Sequence, residues 1–310
     1  MRKISKCLPV LLVVLLSAAG SYAQDRAQMI VTPAWLAEHF KDPNLVLLHV
    51  GEKGEFEKGH IPGAQSVAFS ADISTPYEKG KLSLELLPAE QLKANFERLG
   101  ISDDSRIVVY YGKDWVTPST RVIFTLTYFG LGDRTSLLDG GMPAWVAAGH
   151  ETTTDVKAAA LGKLTPHPHP EIVADAEWVS AHLHQPSVGI IDSRDADAFA
   201  GTDPQWIATP TIYVRGNIPG AQSIPSESFI TDKNQLKDRA AIEDLFKAAG
   251  VKPGMQVVTY CWVGQRATLA WFLARSMGYD ARLYDGSWQG WSGLRKDLPI
   301  EKSPAEKQGH

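Results

Sequence analysis

The sequence predicts an α/β protein of two similar domains, each a mainly parallel sheet flanked by helices on both faces. Three observations carry that expectation. The chain has 310 residues, too many for one ordinary core. The same blocks of residues occur twice in the same order. Within each copy, short apolar strands alternate with helical segments, which is the pattern of a parallel sheet. Hydrophobic residues make up 44% and charged residues 21%, the balance of a globular chain rather than a disordered one. The 31 basic residues against 35 acidic ones, with no basic block, speak against a nucleic-acid partner.

Residues 1–23 read as a secretory signal peptide and not as part of the fold. Arg2, Lys3 and Lys6 precede an apolar run from Leu8 to Leu16, and Ser21-Tyr22-Ala23 places small residues where a signal peptidase reads. The expected destination is the periplasm, with no membrane association after cleavage. Export would also remove Cys7 and leave Cys261 as the lone cysteine. A lone cysteine in an oxidising compartment forms no internal disulfide. It is a buried inert residue, an intermolecular partner or a reactive thiol.

The elements then follow in duplicate. Thr32 and Asp175 are N-caps for short helices carrying Trp35 and Trp178, and Pro33 suits a first helical position. Val46–Val50 and Gly189–Ser193 read as buried strands. His60-Ile61-Pro62-Gly63-Ala64 matches Asn217-Ile218-Pro219-Gly220-Ala221 as a turn. Leu99-Gly100-Ile101 matches Ala249-Gly250-Val251, and each leads into a central strand, Ile107–Tyr111 or Gln256–Tyr260. Amphipathic helices are expected over Ser119–Phe129 and Arg266–Met277. Each copy closes on Leu138-Asp139-Gly140-Gly141 or Tyr284-Asp285-Gly286-Ser287, followed by Trp145 or Trp291. The domains are therefore set at 24–151 and 173–303, with a linker at 152–172 that is rich in Thr, Ala, Pro and His. The His167-Pro168-His169-Pro170 run offers no metal site, since no cysteine or acidic cluster accompanies it.

The copies differ where chemistry is expected. After its central strand the second copy runs Cys261-Trp262-Val263-Gly264-Gln265-Arg266, whereas the first continues from Gly112 without a cysteine. Ligands of open α/β sheets bind outside the carboxyl ends of the strands. A helix N-terminus at that place supplies N–H groups and a positive dipole end, which stabilise a thiolate. Gly264 lets the loop backbone turn as an anion nest, and Arg266 adds a cation at the rim. One short loop thus combines a nucleophile, Cys261, with anion-binding N–H groups of Trp262, Val263, Gly264 and Gln265.

In this order and duplicated, the Asp192-Ser193-Arg194 strand end, the Asn217–Ala221 segment, the cysteine loop and the Tyr284–Ser287 turn with Trp291 make the chain resemble the tandem two-domain rhodanese family. The resemblance spans the chain beyond the leader and implies two rhodanese-like domains, the first without a catalytic cysteine. It implies a sulfurtransferase of the thiosulfate:cyanide kind. The Cys261 thiolate would take the outer sulfur of a small anionic donor such as thiosulfate and pass it from a persulfide to a thiophilic acceptor. The loop N–H groups would hold the persulfide charge, and Arg266 would attract the donor. No cofactor or metal is required, and a monomer suffices. Asp192 and Arg194 either brace the loop or form a simple salt bridge at the strand end. Trp262, Trp288 and Trp291 either line the mouth of the site or pack; Trp206 belongs to a lid or a surface loop. The stretch Asp195–Ala200 lacks the donor-binding arginine found near Ala198 in many relatives and carries Asp195 and Asp197 instead. Two other readings share the nucleophile. One is a persulfide carrier serving a partner protein. The other is a cysteine-dependent phosphatase or arsenate reductase, disfavoured because four residues rather than five separate Cys261 from Arg266.

Overall fold

The computed structural model describes residues 28–78, 81–113, 115–203 and 214–302. The expected leader with Cys7, and Trp206, lie outside the described residues.

Among the described residues the chain builds two five-stranded sheets, all strands parallel to their neighbours. The first contains β1 (Ile30–Val31), β2 (Leu45–Val50), β3 (Gln65–Ser66), β4 (Arg106–Tyr111) and β5 (Thr135–Leu138), in the spatial order β1-β5-β4-β2-β3. The second contains β6 (Val173–Ala174), β7 (Val188–Asp192), β8 (Gln222–Ser223), β9 (Gln256–Tyr260) and β10 (Asp280–Tyr284), in the order β6-β10-β9-β7-β8. The two orders are identical, as the duplicated sequence predicts. Both central strands read as continuous apolar runs because helices cover both faces, and Ile107–Tyr111 and Val257–Tyr260 are buried throughout.

The helix starts follow their capping residues. Thr32 Oγ1 accepts the N–H of Trp35 at 3.2 Å, and Asp175 Oδ1 accepts that of Trp178 at 2.7 Å. The two helices expected to be amphipathic, found at Thr117–Phe129 and Ala267–Met277, are buried on nearly every side. From Ser119 to Phe129 only Tyr128 reaches partial exposure. The reason is that one face lies on the helix's own sheet and the other on the sister helix. Thr120 and Thr268 share a hydrogen bond of 2.8 Å between their hydroxyls. Phe124 meets Trp271 edge to face, with ring centres 4.9 Å apart. One apolar core therefore runs through both domains.

The segment 152–172 is strapped to the first domain rather than free of it. Thr153 and His60 exchange backbone hydrogen bonds of 2.9 Å, Gly162 N–H reaches Glu97 O at 2.8 Å, and Leu164 is buried. No helix among the described residues is long and apolar enough to cross a membrane.

Candidate active site

Cys261 follows β9, the middle strand of the second sheet, at its carboxyl end. Its backbone is clamped by the turn after β10. Cys261 N–H donates to Ser287 Oγ at 3.1 Å, and its carbonyl accepts the N–H of Trp288 at 3.0 Å. Gln289 N–H bonds the carbonyl of Trp262 at 3.0 Å. The side chain is 1% exposed, so the thiol is an interior group that only a small or deeply inserted reactant can touch.

The loop then turns into the helix Ala267–Met277. Among the described residues, the N–H groups of Val263, Gly264, Gln265 and Arg266 donate to no protein acceptor. They are the open donors of a helix start, the ordinary place for an anion. Gly264 makes the turn at φ +77°, a region that side-chain-bearing residues rarely enter.

Asp192 and Arg194 form a buried pair below this loop. The Arg194 guanidinium meets the Asp192 carboxylate through Nε at 3.0 Å and Nη2 at 2.6 Å. Nη2 also donates to Gly216 O at 3.0 Å and Asn217 Oδ1 at 2.6 Å. Tyr260 donates its hydroxyl to Asp192 at 2.6 Å. The guanidinium carbon lies 4.6 Å from the ring centre of Trp288 and 5.0 Å from that of Trp262. Burial works against the charge on Arg194, but Asp192, Tyr260 and Cys261 outweigh it and hold the group above the usual arginine value. The pair thus braces the floor of the site, and Arg194 is the cation whose field reaches Cys261.

Arg266, at the end of the loop, is partly exposed. Its guanidinium is ion-paired with Asp195 and lies 5.0 Å from the ring centre of Trp115, a residue of the first domain. The acidic stretch noted in the sequence therefore takes up part of the rim charge. Trp262 packs partly buried on Arg194, whereas Trp288 and Trp291 are fully buried. Val263 is half-buried, and Gln265 Nε2 reaches Thr117 Oγ1 at 3.4 Å.

The first domain shows what the site looks like without its chemistry. His49 pairs with Tyr110 in register as Asp192 pairs with Tyr260, and both tyrosine hydroxyls accept an N–H, from Ile61 at 3.2 Å and Ile218 at 3.3 Å. This register makes Tyr111, not Gly112, the positional equivalent of Cys261. His49, Gly51 and His60 then stand where the second domain has Asp192, Arg194 and Asn217. These three positions hold no carboxylate and no arginine.

Sequence reasoning missed Arg121. It lies on the helix Thr117–Phe129 of the first domain and is fully buried. Its guanidinium forms an ion pair with Asp285, donates to the carbonyl of Gly264 at 3.2 Å and also reaches Leu84 O. In the sequence it is marked only as the one charged residue of Thr117–Phe129, and nothing local names its partners.

Comparison with known proteins agrees with this architecture. The rhodanese-like domain matches residues 32–148 and again 175–294. The chain is 28% identical over 286 residues to the sulfur carrier protein TtuD of Thermus thermophilus, covering 89% of this chain and 97% of that protein. It is 29% identical over 278 residues to a thiosulfate sulfurtransferase of Pseudomonas aeruginosa, covering 88% and 97%. The wild-type structure of EanB superposes with a TM-score of 0.77 at 23% identity, over 90% of this chain and 70% of that one. The two matched segments carry the two five-stranded sheets, and the chain belongs to the rhodanese family.

Proposed function

We propose that the protein is a sulfurtransferase that carries a sulfane sulfur as a persulfide on Cys261. The observation that carries this reading is the placement of Cys261. It directly follows the central strand of the second sheet, leads into the N–H groups of Val263, Gly264, Gln265 and Arg266, which bond no acceptor among the described residues, and interacts electrostatically with the buried Arg194.

The chemistry balances without any further group. The Cys261 thiolate attacks the outer sulfur of thiosulfate. The sulfur–sulfur bond of the donor breaks, and sulfite departs with the electron pair. The persulfide anion is then held by the loop N–H groups and the helix end. Cyanide attacks the terminal sulfur, thiocyanate leaves, and the thiolate is restored. Relatives named thiosulfate sulfurtransferase support the donor assignment. The Arg266–Asp195 pair works against it, because it leaves less net charge for a divalent anion at the rim.

A persulfide carrier is the second reading, favoured by the relative named as a sulfur carrier. One experiment separates the readings. The protein is incubated with thiosulfate, freed of excess and weighed intact beside Cys261→Ser. A gain of one sulfur in the wild type alone, lost on adding cyanide, is the expected result. Sustained thiocyanate production marks the enzyme. Charging without turnover marks the carrier, and no charging removes thiosulfate as donor. The leader-like residues 1–23 support work in the periplasm, which N-terminal sequencing of the periplasmic fraction would test.

A further inference from the structure

We infer that the first domain supplies a positioning residue to the site of the second. Arg121 sets the cysteine loop and turns a cysteine-free domain into a working part of the sulfur-transfer machinery. This inference rests on Cys261 being the sulfur-bearing residue.

Arg121 is fully buried and reaches three places at once. It ion-pairs with Asp285 in the turn after β10, the turn whose Ser287 clamps Cys261 N–H. It donates to the carbonyl of Gly264, in the middle of the cysteine loop. It also donates to Leu84 O, in a segment of the first domain held at φ +60°. Bonding the Gly264 carbonyl on its far side fixes the orientation of that peptide. The direction in which the next N–H, that of Gln265, points is fixed with it, because the peptide is planar. Arg121 thus acts through the loop backbone and touches neither donor nor acceptor.

The duplication shows that this is no general feature of the fold. Gly130 and Gly278, both in the left-handed conformation, cap the two sister helices and fix their equivalence. Leu269 then stands where the first domain has Arg121. The carboxylate bonds to the other domain do recur in both halves. Asp285 Oδ2 accepts Leu86 N–H at 3.2 Å, and Asp139 Oδ1 accepts Leu236 N–H at 2.9 Å. The second domain offers Asp139 a leucine where the first offers Asp285 an arginine. The arginine is present only on the side that faces a cysteine.

The test uses the full chain and separates rate from amplitude. Arg121→Lys keeps a charge for Asp285 but lacks the fork that reaches three acceptors. The double variant Arg121→Met with Asp285→Asn removes both charges, leaves no buried ion unpaired, and keeps an oxygen for Leu86 N–H. Persulfide formation from thiosulfate is followed by intact mass in a single turnover. Both variants are expected to take up one sulfur per chain, as wild type does, but about 10- to 100-fold more slowly, the penalty of a displaced catalytic backbone. A merely structural role would instead lower the amplitude, through loss of folded protein, and leave the rate of the folded fraction unchanged. Wild-type rates in either variant, or failure of both variants to fold, would overturn the assignment. If wild type itself takes up no sulfur while Cys261→Ser behaves identically, the reading of Cys261 fails instead.

Discussion

Gly264 has neither room for a side chain nor freedom to leave the left-handed region. A Cβ there would stand 2.6 Å from Asp285 O and 3.2 Å from Arg121 Nη1, both fixed parts of the buried brace. Gly264→Ala therefore has to move the loop. The backbone strain alone costs about 1–2 kcal/mol, and the displaced loop N–H groups lower persulfide formation more than the stability loss explains. A denaturation midpoint and a single-turnover rate on the same sample check this, and an unchanged rate would exclude it. At this scale the sequence was informative where chemistry is local. Cys261 and the spacing to Arg266 could be read, and so could the Asp192–Arg194 pair. Arg121 could not, because its partners Gly264 and Asp285 belong to the other copy of the repeat, and no local pattern joins them. The sequence points to Arg266 as the rim cation because it lies on the loop. The structure pairs its charge with Asp195, while Arg194 is buried with Asp192 beneath the loop and interacts electrostatically with Cys261.

At the scale of elements, the segment from Lys81 to Leu87 acts as a strap from the first domain onto the second. Gln289 accepts Ser83 N–H at 2.8 Å and donates to Lys81 O at 3.1 Å, and Asp285 accepts Leu86 N–H. Glu85 lies in this strap. Burial, and then the nearby Asp285 carboxylate, push its pKa up to about 8 against the opposing pull of Arg121. The folded protein thus keeps a proton that the unfolded chain releases above its ordinary value of 4.5. The stabilisation is complete below that value and is lost as pH rises toward about 8. Glu85→Gln keeps the shape without the titration, so its stability should fall less than that of wild type between about pH 5 and pH 8. Urea midpoints at both pH values decide, and parallel lines for the two proteins would refute it. The strap escaped sequence analysis because its residues show no period and bond across the domain boundary. The strands and capped helices were legible because Thr32, Asp175 and the apolar runs act within a few residues. The equivalence of Tyr111 with Cys261 needed the sheet register, since a one-residue slip leaves the apolar pattern of β4 intact.

For the whole molecule, the two copies meet through equivalent surfaces. The Thr120–Thr268 bond joins equivalent positions of the sister helices, and the two Asp-to-leucine bonds reproduce each other across it. Leu84 and Asn234 both adopt positive φ, and their carbonyls accept from Arg121 and from the Tyr111 hydroxyl respectively. In the cysteine-free half, the residue that replaces the nucleophile has thus become an interface contact. Duplication was legible from the repeated blocks, but this mutual packing was not, because a repeat in one chain does not say which faces meet. The helices that looked amphipathic differ for the same reason: their second apolar face is buried by the partner copy. It follows that the domains are expected to unfold together. Trp271 is fully buried, bonds Ala281 O at 3.0 Å within its own domain and packs against Phe124 of the other. Trp271→Ala should cost about 3–5 kcal/mol, and the loss should register equally in probes placed on either half. Wild type and variant should each show one cooperative transition, and the Phe124–Trp271 double-mutant cycle should return about 0.5–1.5 kcal/mol of coupling. Two separated transitions, with the first domain unmoved by Trp271→Ala, would show that the halves are independent. They would also make it hard to see how Arg121 could hold the loop of a neighbour that unfolds without it.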